Sequence, residues 1–223
     1  VITAALERGV QKMLLPNIDS SSIEGLNALC EKYPQHCFPM MGLHPTSVNE
    51  NYEEELQLFE KELRTGKYIA VGEIGIDLYW DKTFEKQQKD ALRRQIEVAK
   101  ELELPIVIHQ RDSFEAIFSV LDNMDTTKLR GVFHCFTGNT EQAEKITGLG
   151  FKLGIGGVLT FKNSKLDESI KNVDLKHLIL ETDSPFLAPV PYRGKRNESA
   201  YVYLVARKLA EVKGIDIEEV ADV

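Results

Sequence analysis

The stretch IAVGEIGID, residues 69–77, reads as a strand covered on both faces: a short apolar run, rich in Ile and Val, punctuated by glycines. Yet Glu73 stands in the middle of it and Asp77 closes it, and the segment contains no Lys or Arg. Burying a carboxylate with no positive partner costs on the order of several kcal/mol. The segment is therefore a buried strand whose carboxylate requires a cation from elsewhere.

Outward from it, short β-rich runs alternate with amphipathic helical ones. The strand candidates are 12–19, 37–44, 69–77, 105–111, 130–136, 151–157 and 177–183. Between them, apolar residues recur at helical spacing: Leu56, Phe59, Leu63; Leu92, Ile96, Ala99, Leu102; Phe114, Ile117, Phe118, Leu121. Ala143, Ile146, Leu149, then Leu166, Ile170, Val173, and finally Val202, Val205, Leu209, Val212 continue the series, with Gly150 and Gly214 as stops. Such alternation implies parallel strands, in a doubly wound sheet or a (β/α)8 barrel. His44, Glu73, His109, His134, Gly157 and Asp183 fall at or near successive strand C-termini, about one β/α unit apart. A barrel gathers those ends on one catalytic face. A doubly wound sheet would carry a Gly-rich phosphate loop after its first strand, and none is present. The expected fold is a TIM barrel.

Bulk properties agree. The 223 residues, 43% hydrophobic, suit a single α/β domain over 1–223. A net charge of −8 excludes a protein that coats nucleic acid by overall positive charge, but leaves room for a local basic patch. No apolar run has the length of a membrane span, so no membrane partner is expected. Cys30, Cys37 and Cys135 form neither a paired framework nor a metal-type spacing, which suits free thiols in the cytoplasm and core packing. Only seven strands are found, the chain opens on a helix closing at Gly9, and another helix begins after Asp216. This predicts a barrel truncated at both ends, lacking its first strand and last helix.

Period-2 alternation sets Val71, Glu73, Gly75 and Asp77 on one face, Val107, His109 and Arg111 on another, and Val132, His134 and Phe136 on a third, with Cys135 pointing away. Imidazoles and carboxylates meeting at a barrel mouth are the ligand set of a catalytic divalent cation. Asp183, after an apolar strand, is read as a further ligand; Glu181 shares its parity. His44 is either a substrate contact or a turn residue, and His36 and His177 are structural or solvated. In VPYRGKRNES, residues 190–199, Arg193, Lys195 and Arg196 form either a phosphate-binding loop or a solvated one. In LYW, residues 78–80, the rings either stack on a base or pack a loop.

GLHP, GEIGID, PIVIHQRD, FHCFTG and ETDSPFL, in that order, resemble the motifs of the TatD family of metal-dependent deoxyribonucleases, TIM barrels related to the amidohydrolases. The resemblance implies metal ligation by Glu73 as a bridging carboxylate, His109, His134 and Asp183, with Asp183 also the catalytic base. It implies two divalent cations (Mg, Mn or Zn) and a DNA substrate. It favours phosphate contact by the basic loop, with Asn197 beside it. The family's His-x-His on its first strand has no counterpart here, in keeping with the expected truncation. The expected activity is exonucleolytic hydrolysis of phosphodiesters by metal-activated water. Hydrolysis of a C–N, lactone or aminoacyl ester bond on the same scaffold is the alternative, and an inactive truncated form is a third reading.

Overall fold

The computed structural model describes residues 1–223. Seven strands alternate with helices along the chain. The strands are β1 (Met13–Pro16), β2 (Cys37–Met40), β3 (Val71–Asp77), β4 (Ile106–Arg111), β5 (Gly131–His134), β6 (Lys152–Ile155) and β7 (Leu178–Leu180). The helices are α1 (Ile2–Glu7), α2 (Ile23–Lys32), α3 (Tyr52–Leu63), α4 (Glu85–Glu101), α5 (Phe114–Leu121), α6 (Thr140–Gly148), α7 (Leu166–Ile170), α8 (Val202–Lys213) and α9 (Ile217–Asp222). The chain forms two compact units, one of residues 12–131 and the other of residues 1–11 with 132–223.

In the first unit β1 pairs with β2 and β3 with β4, all in parallel. A parallel bridge between Met41 and Val71 joins the two pairs. Every residue of β3 is buried, as its near-continuous apolar run requires. Its register against β4 brings Gly75 opposite His109 and Asp77 opposite Arg111, with a bulge between Val71 and Ile74. Gly75 has φ +146°, and a Cβ there would strike the His109 carbonyl, so only glycine allows the two strands to close. Leu56, Phe59 and Leu63 of α3, Leu92, Ile96 and Ala99 of α4, and Ile117, Phe118 and Leu121 of α5 are buried, which are the faces that the 3.6-residue spacing selects.

In the second unit β6 pairs in parallel with both β5 and β7. Phe133 and Phe151 meet edge to face with centroids 5.5 Å apart, and Ile146, Ile155, Val205 and Leu209 are buried with them. Helix α6 starts at Asn139, whose side chain accepts from the Gln142 N–H in a capping box, and ends ahead of Gly150 at φ +85°. No helix is long and apolar enough to cross a membrane.

Strand ends differ from the sequence expectation by up to four residues. β2 stops at Met40, so His44 caps a 3-10 turn (Pro45–Ser47) instead of ending a strand. β7 stops at Leu180, leaving Glu181 and Asp183 on the segment that follows. Gly157 opens a 3-10 turn after β6, and His177 closes one before β7. Single bonds run on past these ends, at Met41 with Val71 and from the Glu181 N–H to the Ile155 carbonyl, so the boundary is one that periodicity alone does not mark.

Candidate metal centres

Two imidazole–carboxylate clusters form, one in each unit. In the first, β3 supplies Glu73 and Asp77, β4 supplies His109, and the turn after β2 supplies His44. Both carboxylates are nearly shielded from water, at 6% and 3% exposure. Glu73 Oε1 lies 3.0 Å from His109 Nδ1, and Asp77 Oδ2 lies 3.0 Å from His109 Nε2. Burial by itself would raise the Asp77 carboxyl. The His109 hydrogen bond and the Tyr79 backbone N–H outweigh it and hold Asp77 below the usual carboxylate range. Burial likewise opposes the charged His109 ring, and Asp77 and Glu73 overcome this and raise its pKa.

His44 Nδ1 accepts from the Thr46 N–H at 3.2 Å, which turns Nε2 inward. That nitrogen lies 3.3 Å from His109 Nδ1 and 3.8 Å from Glu73 Oε1. The three ligand atoms of His44, Glu73 and His109 lie within 4.8 Å of one another. Such a set of nitrogen and oxygen donors suits a divalent cation, and Asp77, bonded to Nε2, orients the His109 ring from behind.

Helix α4 braces this cluster. Buried Gln88 accepts from the Asp77 N–H at 2.8 Å and donates to the Asp77 carbonyl at 3.2 Å. Seven residues on, buried Gln95 accepts from the Leu43 N–H at 2.7 Å and donates to the Leu43 carbonyl at 3.4 Å, next to His44. Sequence reading missed both. Their signal is two glutamines spaced i, i+7 on the apolar face of a helix, where a polar group must find a partner.

The second cluster joins His134 of β5 to the segment after β7. His134 Nδ1 lies 2.9 Å from Glu181 Oε2, and its Nε2 lies 3.5 Å from Asp183 Oδ1. Glu181 Oε1 also accepts the Cys135 N–H at 2.9 Å. A Cβ on Gly154 would strike the Glu181 carboxylate, so the glycine leaves the room that this side chain fills. Cys135 differs from expectation. The strand ends at His134 and Cys135 turns with φ +48°, so alternation stops there. Its sulfur joins the ligand atoms of His134 and Glu181 within 4.8 Å instead of facing the core.

The basic loop lies in the same unit. Arg193, Lys195 and Arg196 are exposed, with the Arg193 guanidinium 4.4 Å from the centre of the Phe161 ring. Asn197, expected beside them at the substrate, is 2% exposed. Its amide donates to the carbonyls of Thr182 and Phe186, and its N–H to that of Pro185. It holds the segment that carries Asp183.

The sequence profile of the family described as "TatD related DNase" matches residues 1–223. The chain belongs to the TatD family. An uncharacterized metal-dependent hydrolase of Bacillus subtilis, YabD, is 38% identical over 224 residues, covering 100% of this chain and 88% of its own. YcfH of Escherichia coli, another uncharacterized metal-dependent hydrolase, is 38% identical over 184 residues, 82% of this chain and 68% of its own. Among solved structures, the TatD homologue YjjV of Escherichia coli superposes with a TM-score of 0.92 at 30% identity, covering 99% of this chain and 86% of YjjV. The α/β fold with parallel strands is that of its TatD TIM-barrel neighbours, and the chain is a TatD-family metal-dependent hydrolase. For a TatD hydrolase, imidazole–carboxylate clusters of this kind are the chemically fitting place for its metal.

Proposed function

We propose that this TatD protein is a metal-dependent deoxyribonuclease that removes nucleotides from DNA ends. The observation that carries the reading is the pair of imidazole–carboxylate clusters, His44/Glu73/His109 and His134 with Glu181 on Nδ1 and Asp183 facing Nε2. In it Glu73 and His109, joined by His44, hold one divalent cation, and His134 and Asp183 hold another; Mg, Mn and Zn all suit such mixed donors. A bound cation supplies Lewis acidity and lowers the pKa of a water toward neutrality.

The side chains do the rest. Asp77 through His109 Nε2, and Glu181 through His134 Nδ1, fix the rings and their tautomers. Asp183, whose side chain is a quarter exposed, takes the proton of the attacking water. Arg193, Lys195 and Arg196 neutralise backbone phosphates. The free thiols support a reducing, cytoplasmic setting.

The test is kcat/KM for a single-stranded oligonucleotide against an amide, a lactone and an aminoacyl ester, with and without chelator. Chelator-sensitive hydrolysis of DNA, at least about 100-fold above the other substrates, is expected. Preference for the amide or an ester would overturn the nuclease reading.

A further inference from the structure

Residues 78–80 leave β3 directly after Asp77, and the Tyr79 N–H donates to Asp77 Oδ1 at 2.9 Å. That bond ties the loop to the carboxylate holding His109. Aromatic rings whose role is to pack a loop are buried by it, and these are not: Tyr79 is 53% exposed and Trp80 72%. The two rings meet edge to face, with centroids 4.9 Å apart and planes at 90°. Arg111, paired with Asp77 in the β3–β4 register, lays its guanidinium 3.8 Å from the Tyr79 ring centre and 5.3 Å from that of Trp80. The Arg111 side chain is itself exposed, so its N–H donors are open to an anion. An exposed indole face beside a stacked, solvent-facing guanidinium suits a ligand with a flat ring and a negative charge close to it.

We propose that Trp80, Tyr79 and Arg111 form a stacking subsite for one nucleobase of single-stranded DNA, with the guanidinium on the adjoining phosphate. The proposal rests on the nuclease reading and adds where the strand is gripped: at the end of β3, beside the His44/Glu73/His109 cluster. Trp80 offers its exposed ring, Tyr79 packs against it at a right angle, and Arg111 supplies the charge. Base–aromatic stacking tolerates every base, so the subsite grips without reading sequence.

Trp80 is the only tryptophan in the chain, so its emission reports on this subsite alone. Metal-loaded protein is titrated with a phosphorothioate oligonucleotide, which keeps its charge and resists hydrolysis, and with the same backbone carrying abasic sites. Trp emission follows stacking, and anisotropy of dye-labelled copies gives Kd. The base-bearing strand should quench Trp80 and bind about 5- to 100-fold more tightly than the abasic one, the range that one stacked base supplies. Trp80→Ala should remove most of that difference and Trp80→Phe should keep part of it, while Arg111→Gln should reduce the salt slope by about 0.7. Equal affinity for both strands with unchanged emission overturns the subsite, and if DNA hydrolysis persists the nuclease reading survives it. Failure of both strands to bind, with no DNA hydrolysis, overturns both.

Discussion

Asp77 carries a burden that its place at the end of an apolar strand does not advertise. It is 3% exposed, accepts the Tyr79 N–H, and bonds His109 Nε2 while Glu73 bonds Nδ1. His109 is thus gripped from both sides, and only the Nδ1 side faces the other ligand atoms. Removing the charge behind the ring, while keeping its shape, should weaken the ring as a ligand without unfolding the strand. Asp77→Asn is expected to lower divalent-cation affinity by about 10- to 100-fold, the usual cost of losing an orienting carboxylate. Calorimetric titration of Mn into the purified variant, with its urea midpoint as the control, checks this. Unchanged cation affinity would mean that Asp77 serves only the turn at residues 78–80.

At the scale of elements, α4 is the brace of the first cluster. Gln88 and Gln95 sit two turns apart, and each closes a two-bond clamp on a backbone segment that carries a site residue. Replacing either with Leu removes the partner of a buried N–H and of a carbonyl, at a cost of about 1–3 kcal/mol for each group left unpaired. Gln88→Leu should lower stability and cation affinity together, because the clamp sets the position of Asp77. Leu92→Ala, a cavity on the same helix, should lower stability by about 2–5 kcal/mol and leave affinity in place. Denaturation and cation titration of both variants separate the two effects, and a purely structural loss in Gln88→Leu would deny the brace its role. The helix faces themselves were legible in the sequence because the same apolar residues make both the pattern and the core. The clamps were not, since a glutamine at a buried position announces a need for partners but not which backbone supplies them. Nor were the ends of β2 and β7, where residues 41–44 and 181–183 continue a strand-like pattern after regular pairing gives out.

On the scale of the whole molecule, strand–helix alternation and ordered motifs sufficed for the fold class, because every parallel strand needs its crossover. They also singled out Glu73, His109, His134 and Asp183, which the fold brings together in pairs. Glu73 with His109, and His134 with Asp183, fall into two imidazole–carboxylate clusters. What sequence alone did not resolve is each cluster's further membership. His44 turns inward because Thr46 holds its Nδ1, and Glu181 sits against His134 because Gly154 makes room for it. Cys135 comes in because the chain turns left-handed where the strand ends. Backbone turns of this kind are local decisions that no periodicity records. The central claim is that the clusters hold cations for DNA hydrolysis, and Glu73 is its most exposed point: a buried carboxylate in a strand with no basic residue of its own. The decisive measurement is bound metal per chain together with the rate of nucleotide release from a single-stranded oligonucleotide, for the unaltered protein and Glu73→Gln. Metal content and rate falling together, the rate by at least about 100-fold with the fold intact, is the predicted result. A folded Glu73→Gln protein that keeps its metal and its rate would contradict the account.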